Sequence, residues 1–544
     1  MVRANGAVVS SILKSIEKHP ALWALCLIVL PTLARIAFVA SGQLNLVQDE
    51  AQYWDWTRNL QLTYYSKGPL IALIIKTWTS VFGNTELGVR FGSIIGSVMT
   101  QCVLFYCIAK YWRKPVVAAA TLLIFNTMPL FVALGLLMTT DNSFVFFWTV
   151  CLFSLYQSAL PRESIFHGPG QPRTVPFVVM AASFGLGILA KYTMLGFAGL
   201  AVVSALIMSV SQLLPQRYWR RLLLALTAGV IIGFLPTLIW NMQNDFVGYK
   251  HVFYLIGVKG KQAAQLIRFD RFPEYFGSQL GLALPWWLVF AFIAGVPAVR
   301  QALDFRSNRS SHNESQPDKR QAIILSVFFW PMWLFFLAWS FHAKVMPNWT
   351  TVSYVAGAIL AAFTLTRYMA ASRSKARKWA GGFTWASLII LTLAFSYHVL
   401  PLPDSLNITH RLKGWQELGD TVGELAETKF KDPSKVFFFS DLYDMTAELS
   451  FYVPGQKRAY CAWIDDRRMN QYDLWPGPQD RKGWDAVFVR KHHTGSHPEV
   501  AKMFRKISEP MYITTTYNGR PARKFTLYLC YGYTGYWPEH PGRY

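Results

Sequence analysis

Apolar runs long enough to cross a bilayer recur from the start of the chain to about residue 400, and they limit what it can fold into. At about 1.5 Å of rise per residue, roughly 20 apolar residues in a helix span the hydrocarbon layer. Such runs lie near 21–41, 87–109, 116–137, 143–160, 176–190, 194–214, 222–240, 281–299, 322–341, 350–366 and 383–400. They predict a polytopic α-helical membrane protein with about 11 transmembrane helices. Residues 1–20 show no cleavable leader pattern: the run from Ala21 is too long for a signal core, and Arg35 interrupts it.

The formal net charge of +23, taken alone, suggests a polyanionic partner such as nucleic acid. Its distribution argues otherwise. Alternate loops hold Arg3, Lys14 and Lys18; Lys110, Arg113 and Lys114; Arg162 and Arg173; Arg217, Arg220 and Arg221. The same set continues with Arg300, Arg306, Arg309, Lys319 and Arg320, then Arg367, Arg373, Lys375, Arg377 and Lys378. These 21 basic residues meet only five acids, Glu17, Glu163, Asp304, Glu314 and Asp318. The positive-inside rule makes this side cytoplasmic. An odd number of crossings then puts the N-terminus inside and the C-terminus outside, which in a bacterium is the periplasmic side of the inner membrane. The surplus charge reports topology, and no nucleic-acid partner is expected.

Three outer segments stand out. The first, 42–86, opens with helix-like, aromatic Asp49-Glu50-Ala51-Gln52-Tyr53-Trp54-Asp55-Trp56, suited to a membrane interface. Its residues 69–82 are apolar but too short to span, and are expected to lie in the interface plane. The second, 241–280, mixes Lys250, Lys259, Lys261, Arg268 and Arg271 with aromatics, as a flap over a lipid headgroup would. The third is the tail from 402. A helix is expected from Trp415, Leu418, Val422 and Leu425, then strands at 436–439, 459–463, 486–489, 511–517 and 525–531, with a helix over 443–452. The tail carries 20 basic and 17 acidic residues, as a soluble α/β domain would. The expected domains are therefore a transmembrane domain, 1–401, which includes the first outer loop, and a periplasmic α/β domain, 402–544.

Ionisable groups near a bilayer point to function, because burying them costs several kcal/mol unless they are paired. Asp49, Glu50 and Asp141 all fall on the outer face, as do Lys67, Lys191, His342 and Lys344. A carboxylate can take a proton from a hydroxyl, and a lysine or divalent cation can stabilise a departing phosphate. Simpler roles stand beside these. Asp49 and Asp141 could cap the helices that follow them, and Lys191 could snorkel. His492, His493 and His497 lack a second ligand set for a metal. Cys461 and Cys530 fall on different predicted strands, and their pairing is left open.

DEAQYWDW (49–56), YYSKGPL (64–70) and FGNTELGVR (82–90), followed in order by TTD (139–141), AKYT (190–193) and KVMPNW (344–349), resemble a known family. It is the C-type superfamily of membrane glycosyltransferases, which includes protein O-mannosyltransferases and the lipid A aminoarabinose transferase. RRMNQYDLWPG (467–477) is similar to outer domains of bacterial members. The resemblance implies a C-type helical fold, a polyprenyl-phosphate-sugar donor, and an acceptor hydroxyl on lipid A, a glycan, another lipid or a protein. It further implies inverting transfer on the periplasmic side. Asp49 takes the place of the catalytic base, with Glu50 beside it, and Asp141 that of the second acidic residue. Lys67 takes the place of the donor-phosphate lysine, and Lys191, His342 and Lys344 are further donor headgroup contacts. A divalent metal ion held by Asp49 and Asp141 is compatible with this set. Lys67-Gly68-Pro69 departs from the family's Lys-Pro-Pro and questions how firmly the lysine is held. Trp286-Trp287 lies in a span and lacks the aspartate of the oligosaccharyltransferase signature.

The rival reading is a transporter or flippase of lipid-linked sugars. It expects internal repeats and charged or broken helices at mid-membrane, whereas these charges gather at outer ends.

Overall fold

The computed structural model describes residues 2–160, 173–255, 269–305, 317–371, 374–396, 412–464, 467–492, 494–495, 497–517 and 519–539. Lys259, Lys261 and Arg268 of the expected flap lie outside these residues, as do Arg162, Glu163, Arg306, Arg309, Glu314, Arg373 and His493.

In chain order the helices are α1 (Val2–Lys18), α2 (Pro20–Ala40), α3 (Gln48–Trp56), α4 (Leu70–Phe82), α5 (Glu86–Tyr106), α6 (Pro115–Thr127), α7 (Pro129–Leu134), α8 (Thr140–Ser158), α9 (Thr174–Ala190) and α10 (Gly196–Val210). They continue as α11 (Tyr218–Gln243), α12 (Val247–Leu255), α13 (Phe272–Ala283), α14 (Pro285–Leu303), α15 (Lys319–Trp339), α16 (Ser353–Ala370), α17 (Ser374–Ser396), α18 (Trp415–Thr428), α19 (Tyr443–Tyr452) and α20 (Pro498–Met503). Among the described residues six helical stretches are long and apolar enough to cross a membrane: Pro20–Ala40, Glu86–Tyr111, Tyr192–Val210, Tyr218–Gln243, Pro285–Leu303 and Lys319–Trp339. The protein is a multi-pass membrane protein, and helices lie at all of the other expected spans. The run expected at 116–137 is broken, because α6 stops at Thr127 and α7 starts at Pro129. Pro129 has no N–H to continue the ladder, and it pushes Met128 into an extended conformation (φ −77°, ψ 117°).

The chain divides into two compact units, Met1–Ala37 with Gly92–Trp240 and Gly257–Tyr397, and Phe38–Phe91 with Asn241–Ile256 and His398–Tyr544. In the first, α8 packs along α9, and α16 along α14 and α6. Trp148, Phe197 and Phe328 meet edge-on or tilted, with centroids 5.3–5.6 Å apart, and fill the space between helices. Arg35, buried within α2, is satisfied by Ser97 Oγ (3.3 Å) and Asn126 Oδ1 (3.0 Å). Gly135 makes room for it, since a Cβ there would lie 3.1 Å from the guanidinium carbon.

The second unit is built on a six-stranded sheet. Its strands are β1 (Val436–Ser440), β2 (Ala459–Cys461), β3 (Asp485–Lys491), β4 (Phe504–Ile507), β5 (Met511–Tyr517) and β6 (Arg520–Tyr533). The order is β2-β1-β3-β6-β4, with β5 also pairing β6. β1 runs parallel to β2 and β3, and β6 runs antiparallel to β3, β4 and β5. β1 is buried along its whole length, which accounts for its unbroken VFFF run. Phe437, Phe439 and Phe488 join Phe504, Tyr528 and Tyr533 in the core. Cys461 and Cys530 are both free. They sit on β2 and β6 with β1 and β3 between, about 14 Å apart at the usual ~4.8 Å strand spacing, beyond disulfide reach.

Unlike a boundary at 401/402, this division groups the first outer loop and Asn241–Ile256 with the tail. Tyr452 donates to Glu86 Oε1 (2.7 Å) and accepts from the Leu46 amide (2.7 Å). Arg58 donates to the Ser450 and Gln456 carbonyls (3.0 and 2.7 Å). Tyr53, Trp54 and Trp56, whose aromatic character suggests a membrane interface, are buried in this unit instead. Trp54 meets Phe451 edge-on at 4.8 Å. α4 does expose an apolar face (Leu73, Val81, Phe82) while burying Ile71, Ala72 and Ile75, as a helix lying in a membrane surface would.

Candidate active site

Asp49 sits in the first turn of α3, but it is not the cap. Glu50 reaches back to the Val47 amide (2.9 Å) and closes the helix start. The Glu50 carboxylate also takes three hydrogen bonds from Arg90 (2.8–3.2 Å), whose other bonds go to the carbonyls of Leu44 and Asn45. The Glu50 side chain is 1% exposed and is engaged by Arg90 and the helix start. Asp49, its neighbour, is exposed.

The surroundings of Asp49 come from the loop and the tail of the same unit. Although solvent reaches its side chain, the protein packed around it desolvates the Asp49 carboxyl and pushes it above the usual range, and Asp444 and Glu50 push the same way. Lys67 and a hydrogen bond with Tyr443 oppose them. Asp444 is itself paired with Lys491. Lys67 does not depend on the missing second proline. Its carbonyl accepts from the Tyr64 amide (3.0 Å) and Thr63 Oγ1 (3.0 Å), and Tyr64 stacks on Trp56 at 4.3 Å. The Tyr65 amide donates to Gln471 Oε1 (2.6 Å), and the Tyr65 ring lies 4.5 Å from that of His251. His251 is pushed down to about 4, first by burial and then by the charges of Arg468 and Lys67.

The second acidic position, Asp141, lies in the other unit. Thr139 precedes α8 without a side-chain cap bond, so Asp141 is not a cap either. Its Oδ1 pairs with Lys191 Nζ (2.7 Å) and its Oδ2 accepts from Asn348 Nδ2 (2.7 Å). TTD, AKYT and PNW, far apart in sequence, thus meet in one polar cluster. Asn348 is carried by a single 3-10 turn, Pro347–Thr350, which Gln279 holds through the Pro347 carbonyl (3.1 Å). The Lys191 ammonium, expected on a donor phosphate, is engaged by Asp141 and lies 5.7 Å from the centroid of the Phe144 ring. Lys344 is exposed, 3.9 Å from Glu274, and the His342 ring lies 5.1 Å from that of Trp339.

Both Asp141 oxygens accept from cationic or amide nitrogens, and among the described residues no three His, Cys, Asp or Glu side chains gather for a metal.

Similarity to known proteins follows the same elements. Residues 66–240 match the family described as dolichyl-phosphate-mannose-protein mannosyltransferase. A lipid A galacturonosyltransferase, RgtD of Rhizobium johnstonii, is 26% identical over 432 residues, covering 78% of this chain and 80% of that one. The chain has the fold of ArnT from Cupriavidus metallidurans in its apo state, with a TM-score of 0.61 at 14% identity, covering 93% and 98% of the two chains. These similarities support glycosyltransferase activity, and the chain shares the fold of ArnT.

Other relatives agree with that assignment. The undecaprenyl phosphate-alpha-4-amino-4-deoxy-L-arabinose arabinosyl transferase of Pseudomonas paraeruginosa is 22% identical over 245 residues, 44% of this chain and 40% of that one. ArnT bound to undecaprenyl phosphate matches with the same TM-score of 0.61, at 16% identity. Sequence reasoning singled out Asp49, Lys67, Asp141 and Lys191 but missed five neighbours. Asn348, Arg90 and Arg468 stand inside motifs that carry the resemblance, so a signal was present. Tyr443 and His251 had none.

Proposed function

We propose that the protein transfers a sugar from a polyprenyl-phosphate carrier to a lipid hydroxyl on the periplasmic side, with inversion at the anomeric carbon. Relatives named for lipid A modification, and a structural neighbour bound to undecaprenyl phosphate, support this donor and acceptor class. The observation that carries the reading is an exposed Asp49 carboxyl with a raised pKa, electrostatically coupled to Lys67. A base is most effective when its pKa approaches the working pH. Asp49 takes the acceptor hydroxyl proton as that oxygen bonds to the anomeric carbon. The bond from the anomeric carbon to the phosphate oxygen breaks on the opposite face, and Lys67 offsets the charge left on the polyprenyl phosphate. Tyr443 orients the carboxylate, and Glu50 with Arg90 fixes the helix start that presents it.

The test is an assay of purified protein with a polyprenyl-phosphate sugar and lipid A, read by mass spectrometry of the acceptor. Wild type adds one sugar mass, and Asp49→Asn adds none while still binding donor. Undiminished transfer by that variant would remove Asp49 as the base. No transfer by wild type with any donor, combined with donor movement across vesicles, would replace the reading with that of a flippase.

A further inference from the structure

The turn after β2 carries two adjacent arginines that are treated differently. Arg467 is consumed. It pairs with both oxygens of Asp473 (2.7 and 2.8 Å), donates to the Ala462 carbonyl (3.3 Å) and lies over the Trp463 ring at 4.5 Å. Asp473 in turn accepts from the Asn470 amide (2.8 Å), and Asn470 Oδ1 accepts from the Tyr472 amide (2.8 Å). A buried ion pair thus ties Arg467 to the segment that follows it. Arg468, one residue on, is exposed, and among the described residues no carboxylate forms an ion pair with it.

That turn is fastened to the loop carrying Lys67. Gln471 accepts from the Tyr65 amide at 2.6 Å and donates to Gln61 Oε1 at 3.4 Å. Tyr65 leans on His251, and the charges of Arg468 and Lys67 both act on that ring. Arg468 also acts on Tyr443, the hydrogen-bond partner of Asp49. One histidine thus lies within the fields of both cations, and the arginine's charge also reaches the tyrosine beside the base. Among the described residues several acids of this unit are paired with other cations: Glu50 with Arg90, Asp55 with Arg58, Asp441 with Arg490, Asp444 with Lys491 and Asp473 with Arg467. A guanidinium presents a planar fork of donors that matches a carboxylate or phosphate in two-point contact.

We propose that Arg468, carried by the C-terminal domain, binds an oxyanion of the lipid-linked sugar donor beside Lys67, either the carboxylate of a hexuronic acid or the carrier phosphate. It makes the sheet domain part of the donor site and disfavours a donor sugar bearing an amine, because two cations would face it. The inference rests on the transferase reading given above.

The test uses the full chain in lipid nanodiscs with two donors on the same polyprenyl phosphate, one bearing a hexuronic acid and one a neutral hexose. Both binding without turnover and transfer are measured. Arg468→Gln is expected to weaken binding and raise KM at least tenfold while changing kcat less than threefold, and Arg468→Lys should recover part of the loss. A loss confined to the uronic donor assigns the sugar carboxylate, and an equal loss for both assigns the phosphate. Unchanged binding and KM for both donors would overturn the proposal. A wild type that binds donor through Arg468 but transfers nothing would remove the transferase reading and leave this one standing.

Discussion

Lys191 closes a 2.7 Å ion pair on Asp141, fifty residues earlier in the chain, and Asn348 takes the other carboxylate oxygen. Three short motifs, each weak alone, thereby form one polar cluster in which the Asp141 side chain is 3% exposed and that of Lys191 12%.

Removing one partner of such a pair leaves a buried charge uncompensated. Lys191→Met is expected to destabilise the protein by about 3–5 kcal/mol, and Asp141→Asn in the same background should recover part of that. Thermal unfolding of the two single variants and the double variant in detergent measures the coupling. Additive effects would show that the pair carries no interaction energy.

Glu50 and Asp49 are adjacent acids with different consequences. Glu50→Gln keeps an acceptor for the Val47 amide but leaves Arg90 buried and unbalanced. Stability should fall by about 3 kcal/mol. Transfer by the folded fraction should persist with an unaltered pH profile, whereas Asp49→Asn should abolish it. Loss of chemistry in well-folded Glu50→Gln would give Glu50 a catalytic role.

The raised pKa of Asp49 sets the acid limb of activity. As pH falls through that pKa the base is protonated and transfer declines, so the limb should lie above the ordinary carboxylate value of about 4. The Tyr443 hydrogen bond lowers the Asp49 pKa, so Tyr443→Phe should move the limb further up. Profiles of kcat/KM against pH for the two proteins decide this; coincident limbs would separate Tyr443 from the base.

His251 is held neutral, with its pKa lowered from 6.5 to about 4. Its unfolded form takes up a proton first as pH drops, so its contribution to stability is full above about 6.5 and is lost toward pH 4. The whole effect is roughly 3 kcal/mol at 1.36 kcal/mol per unit. His251→Phe should flatten this part of the stability curve, as followed by unfolding between pH 7 and 4.5.

Much of the fold was legible because the signals are local. Apolar runs placed the helices, and Trp415, Leu418 and Val422 marked the buried face of α18. VFFF marked a strand covered on both sides. The break at Met128 was signalled by Pro129 but outweighed by the apolar composition around it. The aromatics of α3 were misassigned because burial in a protein core and burial at a membrane surface favour the same residue types.

The sequence by itself determined the membrane class, the α/β tail and the motif residues Asp49, Lys67, Asp141 and Lys191, because hydropathy and periodicity are properties of neighbouring residues. Only the tertiary structure decided what each charge does. It paired Glu50 with Arg90, brought Asn348 to Asp141 from 207 residues away, and joined the first outer loop to the tail. The reason is physical: a buried charge must be compensated by whichever group packing brings within about 3 Å, and nothing in local sequence specifies that partner.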